Sequence, residues 1–269
     1  MDHANTVHQN WTFAEKFFFR FFCAWFIIYI FPFPFDSIPF IAEIASWNGK
    51  ITGWYTGLFD AYTNMWHAIV PWVAKNILHL SYPITIFSNG SGDTTYDYVL
   101  LLTYIVLALL TAVIWTLSDK KRESYTSAYY WLRVIVRYYL AVNFLGYGFV
   151  KIFHLQMPFP YLSQLVQPFG GKSPMGLAWS FIGYSPAFSA FTGWGEVIAG
   201  SLLFFRRTTT LGGLMGLVVM GNIMVINFCY DVPVKLFSSM LFLMSGFLII
   251  PDLGRLLNVL VLNKGTGPV

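Results

Sequence analysis

Charged side chains are scarce in this sequence: 16 Lys and Arg with 12 Asp and Glu make up 10% of its 269 residues. A soluble domain carries about 25%, so these few charges cannot cover a water-facing surface. Cysteine is almost absent. Cys23 and Cys229 lie in separate hydrophobic segments, and neither belongs to a C-x-x-C pair, which argues against a disulfide framework and against a thiol relay. No basic run is long enough for nucleic-acid binding, which sets that class aside. No histidine falls inside a hydrophobic block, so a transmembrane haem with paired axial histidines is disfavoured. His67 and His79 are twelve residues apart with no cysteine near them, a poor match to a metal site. There is no P-loop, no G-x-S-x-G and no G-x-G-x-x-G after a strand. Broken helices repeated in two halves, a mark of many secondary transporters, are also missing.

What is present is apolar: 57% of the residues are hydrophobic and 20% aromatic. They fall in long blocks, and a membrane-spanning helix needs roughly 20 such residues. Six segments qualify: Phe17–Phe33, Tyr96–Leu117, Tyr129–Phe153, Pro186–Phe205, Leu211–Tyr230 and Val232–Ile250. The expected fold is an all-α integral membrane protein with about six transmembrane helices. No small-x-small site precedes Pro34, so the first segment is expected to be kept as a helix rather than cleaved.

Lysine and arginine set the orientation. With the N-terminus inside, 11 basic residues lie on or near the inner side and 5 on the outer side, and all seven arginines are among the inner ones. Both termini are therefore expected in the cytoplasm, with 252–269 as a cytoplasmic tail. Arg133 and Arg137, in the inner half of the third segment, are expected to reach inner headgroups.

Two outer segments remain. The stretch 35–95 holds Trp47, Trp54, Trp66 and Trp72, a residue type that favours the bilayer interface. Ile38–Trp47 and Thr63–Leu80 are expected as interfacial helices on the outer side, with a small soluble cap as the competing reading. The stretch His154–Ser185 holds Pro158, Pro160, Pro168, Gly170 and Gly171 and is expected to be mostly irregular.

From Tyr129 to about residue 251 the chain resembles the DoxX-like family of small membrane proteins. The residues that carry the likeness are Gly146-Tyr-Gly-Phe-Val-Lys151, Gly193-Trp-Gly-Glu196, Arg206-Arg207-Thr208 and Asn227-Phe-Cys-Tyr-Asp231-Val-Pro-Val-Lys235-Leu. Residues 1–34, the first helix, and 35–95 lie outside it. The resemblance implies a four-helix transmembrane bundle over 96–251. Relatives include DoxD/DoxA thiosulfate:quinone oxidoreductase subunits and the MauE proteins of amine dehydrogenase maturation. It further implies the inner (plasma) membrane of a bacterium and a role in a redox or envelope pathway, without naming catalytic residues.

An ionisable group at mid-membrane is costly and marks a place to look for function. Glu196 is ten residues into its segment, about 15 Å from the outer end, and Gly193, Gly195, Ala199 and Gly200 around it would let another helix come close. Its expected partners are Lys151, Asn227, Asp231 and Lys235. On the third segment Arg133, Arg137, Phe144, Tyr147, Lys151 and His154 recur at helical spacing and share a face. Together with Tyr230, these residues outline a polar pocket open to the outer side. Lysine, tyrosine and a carboxylate could hold a quinone headgroup and move its protons. The same residues would equally serve to lock helices in register, or line a path for a small molecule or ion. Three functions stay open: a redox or envelope subunit that binds quinone, a non-enzymatic scaffold holding a membrane or outer-side partner protein, and a carrier.

Overall fold

The structure, a computed structural model, describes residues 10–35, 49–86 and 92–265, without the side chains of residues 49–52, 54 and 55. The expected helix Ile38–Trp47 and the ring of Trp54 lie outside the described residues. Every regular element among them is helical. Among the described residues, three helical stretches are long and apolar enough to cross a bilayer, against the six expected: Thr95–Ser118, Arg206–Cys229 and Lys235–Leu260. With the long apolar blocks of the sequence, they make the chain an integral membrane protein.

The chain forms two compact units, one of residues 1–88 with 94–133 and one of residues 89–93 with 134–269. The first unit contains α1 (Phe13–Ile30), α2 (Gly49–Asn76) and α3 (Thr95–Ser118). Thr12 opens α1 and Thr94 opens α3, each through a capping box, with Glu15 and Asp97 at the third helical position. These boxes satisfy N–H groups that a helix start otherwise leaves bare. The two helices run antiparallel: the Trp11 N–H, just before α1, donates to the Glu123 carbonyl beyond the end of α3.

Arg20 of α1 is buried at that end. Its guanidinium donates to the Tyr125 hydroxyl at 2.7 Å, to Thr116 Oγ1 at 2.8 Å and to the Asp119 carbonyl at 2.9 Å. An arginine at the carbonyl end of a helix is favoured by the helix dipole. The Tyr125 hydroxyl donates in turn to Asp119 Oδ2 at 2.6 Å, and this bond holds the Asp119 carboxyl below its usual range.

Helix α2 departs from expectation. It begins at Gly49 rather than near Thr63 and runs for 28 residues. Trp66, Val70 and Ala74, four residues apart, form a buried stripe packed with Val99 and Tyr104 of α3. Trp66 therefore sits in an aromatic core, its ring 4.8 Å from that of Tyr104. Trp72 is exposed.

The second unit contains the later part of α4 (Thr126–Ile152), then α5 (Pro174–Tyr184), α6 (Pro186–Leu203), α7 (Thr209–Cys229), α8 (Lys235–Ile249) and α9 (Leu253–Leu260). Helix α5 corrects the expectation of irregular chain before Ser185. Ser173 accepts the Gly176 N–H at 3.0 Å and Pro174 occupies the first helical position, the pairing of cap and proline that starts a helix. Helix α8 begins at Lys235, three residues later than expected. Its opening N–H groups, those of Lys235 and Leu236, donate to the two carboxylate oxygens of Asp93 at 2.6 and 3.0 Å. A residue 142 positions away thus supplies the cap.

Candidate functional site

Helices α4 and α6 touch backbone to backbone. A Cβ built on Gly148 would lie 2.8 Å from the Gly193 carbonyl oxygen, one on Gly193 would lie 2.6 Å from the Gly148 carbonyl oxygen, and one on Gly200 would lie 3.0 Å from the Ala141 carbonyl oxygen. Gly193 and Gly200 are two helical turns apart and lie on one face. Gly195, also expected to ease helix approach, instead meets Val219 of α7 at an ordinary 3.5 Å.

This closeness brings Lys151 and Glu196 together. The ammonium and carboxylate form an ion pair at 2.8 Å, with the glutamate 1% and the lysine 6% exposed. The approach angle leaves Glu196 Oε2 without a well-aligned hydrogen bond, although the charges touch. The lysine carbonyl accepts from Ser189 Oγ at 3.1 Å, which ties α4 to α6 a second time.

The pair borders a cavity of about 710 Å³ within the second unit. Its walls are largely apolar and aromatic, among them Phe144, Trp179, Phe188, Trp194, Ile223 and Phe237. Polar groups enter at few points: Asn143, Tyr147 and Lys151 of α4, Gln156 after it, Thr192 and Glu196 of α6, Asn222 and Asn227 of α7, and Ser238 of α8. A cavity of a few hundred Å3 or more with sparse converging polar groups is the usual form of a small-molecule site.

Asn227 donates to Ser238 Oγ at 3.0 Å. Gln156 Oε1 is buried without a hydrogen-bond partner.

Of the residues expected to form a pocket, Glu196, Lys151, Tyr147 and Asn227 line this cavity, and Tyr230, Asp231 and Lys235 do not. Tyr230 and Asp231 are exposed at the turn after α7. Lys235 is engaged there, with Asp231 at 2.6 Å and Asp93 at 3.9 Å. It joins the turn to the cap of α8 rather than to Glu196.

His154 places Nε2 2.9 Å from the Pro186 carbonyl oxygen, at the start of α6. Cys23 and Cys229 are both free. Among the described residues, no three His, Cys, Asp or Glu side chains cluster as a metal site would need.

Sequence reasoning missed Gln156, Asn143, Asn222 and Asp93. Asn143 was within reach, being one turn before Tyr147 and two before Lys151 on the same face. Gln156 and Asp93 lie in the connections between helices, where no periodicity marks which side chain points inward.

The chain belongs to the family of the uncharacterized protein YwoB of Bacillus subtilis (strain 168). It is 33% identical to that protein over 123 residues, which are 46% of this chain and 78% of YwoB. No family model matches the chain, and no solved structure matches it.

Proposed function

We propose that this relative of YwoB is a membrane subunit of a redox or envelope pathway and that its cavity binds a quinone. The observation that carries the reading is the buried Lys151–Glu196 pair on the wall of a 710 Å³ apolar cavity. An ion pair used only to fasten two helices needs no open space beside it. Here the space is large enough for a substituted ring and part of a chain, lined by Trp179, Trp194 and Phe188 for stacking. Lys151 would donate to one ring oxygen, and the Glu196 carboxylate would accept the proton of a hydroxyl when the ring is reduced. Tyr147 and Asn227 offer further hydrogen bonds. The resemblance to DoxX-like proteins supports the same class of ligand.

The reading includes a topology in which α1, α3, α4, α6, α7 and α8 cross the membrane and the arginine-bearing ends face the cytoplasm. A cysteine in place of the exposed Ser163 should then label from outside in intact cells. Labelling only after the inner face is opened would reverse the orientation.

Trp179 and Trp194 make the ligand testable, because quinones quench indole fluorescence. Titration of the purified chain with a short-chain quinone should give saturable quenching, weakened at least tenfold by Glu196→Gln or by the double variant Lys151→Gln with Glu196→Gln. Trp179→Phe should remove part of the signal and leave binding measurable by other means. Linear, unsaturable quenching that is the same in every folded variant would refute the proposal.

A non-enzymatic scaffold is the second reading. It is favoured by the exposed apolar side chains of Tyr161, Leu162, Val166 and Phe169 in the connection after α4, which a partner protein could cover. A stoichiometric partner recovered together with a cavity that binds no quinone would favour it.

A further inference from the structure

We propose that Arg137 and the first turn of α7 form a binding site for one phosphate-class anion, separate from the quinone cavity. Arg137 is 9% exposed. Its Nε is buried with no hydrogen-bond partner, and Nη1 reaches Thr209 Oγ1 only at 3.4 Å. The guanidinium carbon lies 4.9 Å from the centre of the Tyr138 ring, an attraction that brings no neutralising charge. No carboxylate among the described residues forms an ion pair with Arg137. Asp252, the acidic residue joined to this turn, is held by the Thr210 hydroxyl at 2.5 Å.

A buried cation without a counter-charge is costly, and arginine cannot shed its proton to escape that cost. Thr209, which Arg137 reaches, opens a 21-residue α-helix that continues from the 3-10 turn Arg206–Thr208, and Thr208 makes no side-chain capping bond. The N–H groups of a helix start carry partial positive charge and favour an anion. The hydroxyl of Thr209 donates backwards to the Arg206 carbonyl at 3.0 Å, so it offers its lone pair to Arg137 and does not compete for the anion. Arg206 and Arg207 stand exposed just before this turn, adding positive potential at the mouth of the site. The guanidinium, the positive end of the helix dipole and the flanking arginines together suit a tetrahedral oxyanion. Phe204 and Phe205, both exposed beside the turn, offer apolar surface for acyl chains. A lipid phosphodiester and free inorganic phosphate share the recognised chemistry.

Native mass spectrometry of the full chain, with phosphatidylglycerol, phosphatidylcholine or inorganic phosphate added in turn, tests the site and separates the sources. The wild type should retain one phosphatidylglycerol through detergent washing and be raised in thermal unfolding temperature by it. Arg137→Gln should weaken that retention about tenfold and lose the thermal shift. Inorganic phosphate at millimolar concentration that displaces the lipid and reproduces the shift would assign the site to the free anion. Failure of phosphate with success of the lipid assigns it to a headgroup.

Should Arg137→Gln not fold, Arg137→Lys keeps a charge and loses the forked donors, and should still reduce retention severalfold. The surface double variant Arg206→Gln with Arg207→Gln should reduce it further. Equal retention of both lipids, unchanged in the Arg137→Lys protein and in the surface double variant, overturns the proposal.

Discussion

Gly146 and Gly148 are two residues apart on α4 and differ only in what a methyl group would meet, so the pair isolates the α4–α6 contact. At Gly146 nothing lies within 4 Å of the built Cβ. Alanine there removes the backbone freedom of a helical glycine and should stabilise by roughly 0.5–1 kcal/mol. At Gly148 the same methyl would lie 2.7 Å from Val197 Cγ2 and 2.8 Å from the Gly193 carbonyl oxygen.

Ordinary carbon contacts begin near 3.4 Å. The helices must therefore part by more than half an ångström, since the obstructing oxygen is backbone and cannot rotate away. Overpacking of this kind costs about 1–3 kcal/mol; the gain from losing glycine's backbone freedom applies at both sites, so Gly148→Ala should be less stable than Gly146→Ala by about that amount. Gly193→Ala opposes the same contact from the other helix, where the Cβ would lie 2.6 Å from the Gly148 carbonyl. The double variant Gly148→Ala with Gly193→Ala should therefore cost less than the sum, one displacement relieving both clashes.

The assay is reversible unfolding in mixed micelles, read by circular dichroism. If Gly148→Ala is as stable as Gly146→Ala, the backbone contact that sets Glu196 beside Lys151 does not exist as described.

Removing one partner of the ion pair leaves the other charge buried, so Glu196→Gln and Lys151→Met should each lose about 3–5 kcal/mol in the same unfolding assay. Replacing both by apolar residues should recover most of that loss. Asp93→Ala removes the cap of α8 and should cost about 1–2 kcal/mol; an unchanged midpoint would show that the cap contributes nothing. In the first unit, the Tyr125 hydroxyl bond lowers the Asp119 pKa. Stability from this group is therefore fully present above the ordinary aspartate value of about 3.9 and is lost as pH falls through the lowered one. Tyr125→Phe should flatten that acid limb in a pH series of unfolding midpoints, and an identical limb in both proteins would refute the linkage.

The helical membrane class was legible because long apolar blocks with little charge admit few other structures. Glu196 stood out by cost alone, and Lys151 shared a helical face with Tyr147, so half of the pocket followed from period. Lys235 misled: it is held at the turn by Asp231 and Asp93, and no helical spacing reports that. Asp93 was invisible for a similar reason, its role depending on a contact 142 residues distant. The start of α2 was misplaced because Gly53 and Gly57 dilute its pattern, whereas the buried stripe Trp66–Val70–Ala74 is spaced at the helical period.

The quinone proposed for the cavity beside Lys151 and Glu196 can be sought directly. An experimental density map of the full chain in lipid nanodiscs containing a native isoprenoid quinone tests it most directly. A bound quinone should give planar ring density beside Trp179 and Trp194, with one ring oxygen within hydrogen-bond distance of Lys151 Nζ. A cavity filled by acyl chains or closed by side chains, with the ion pair intact, would contradict it.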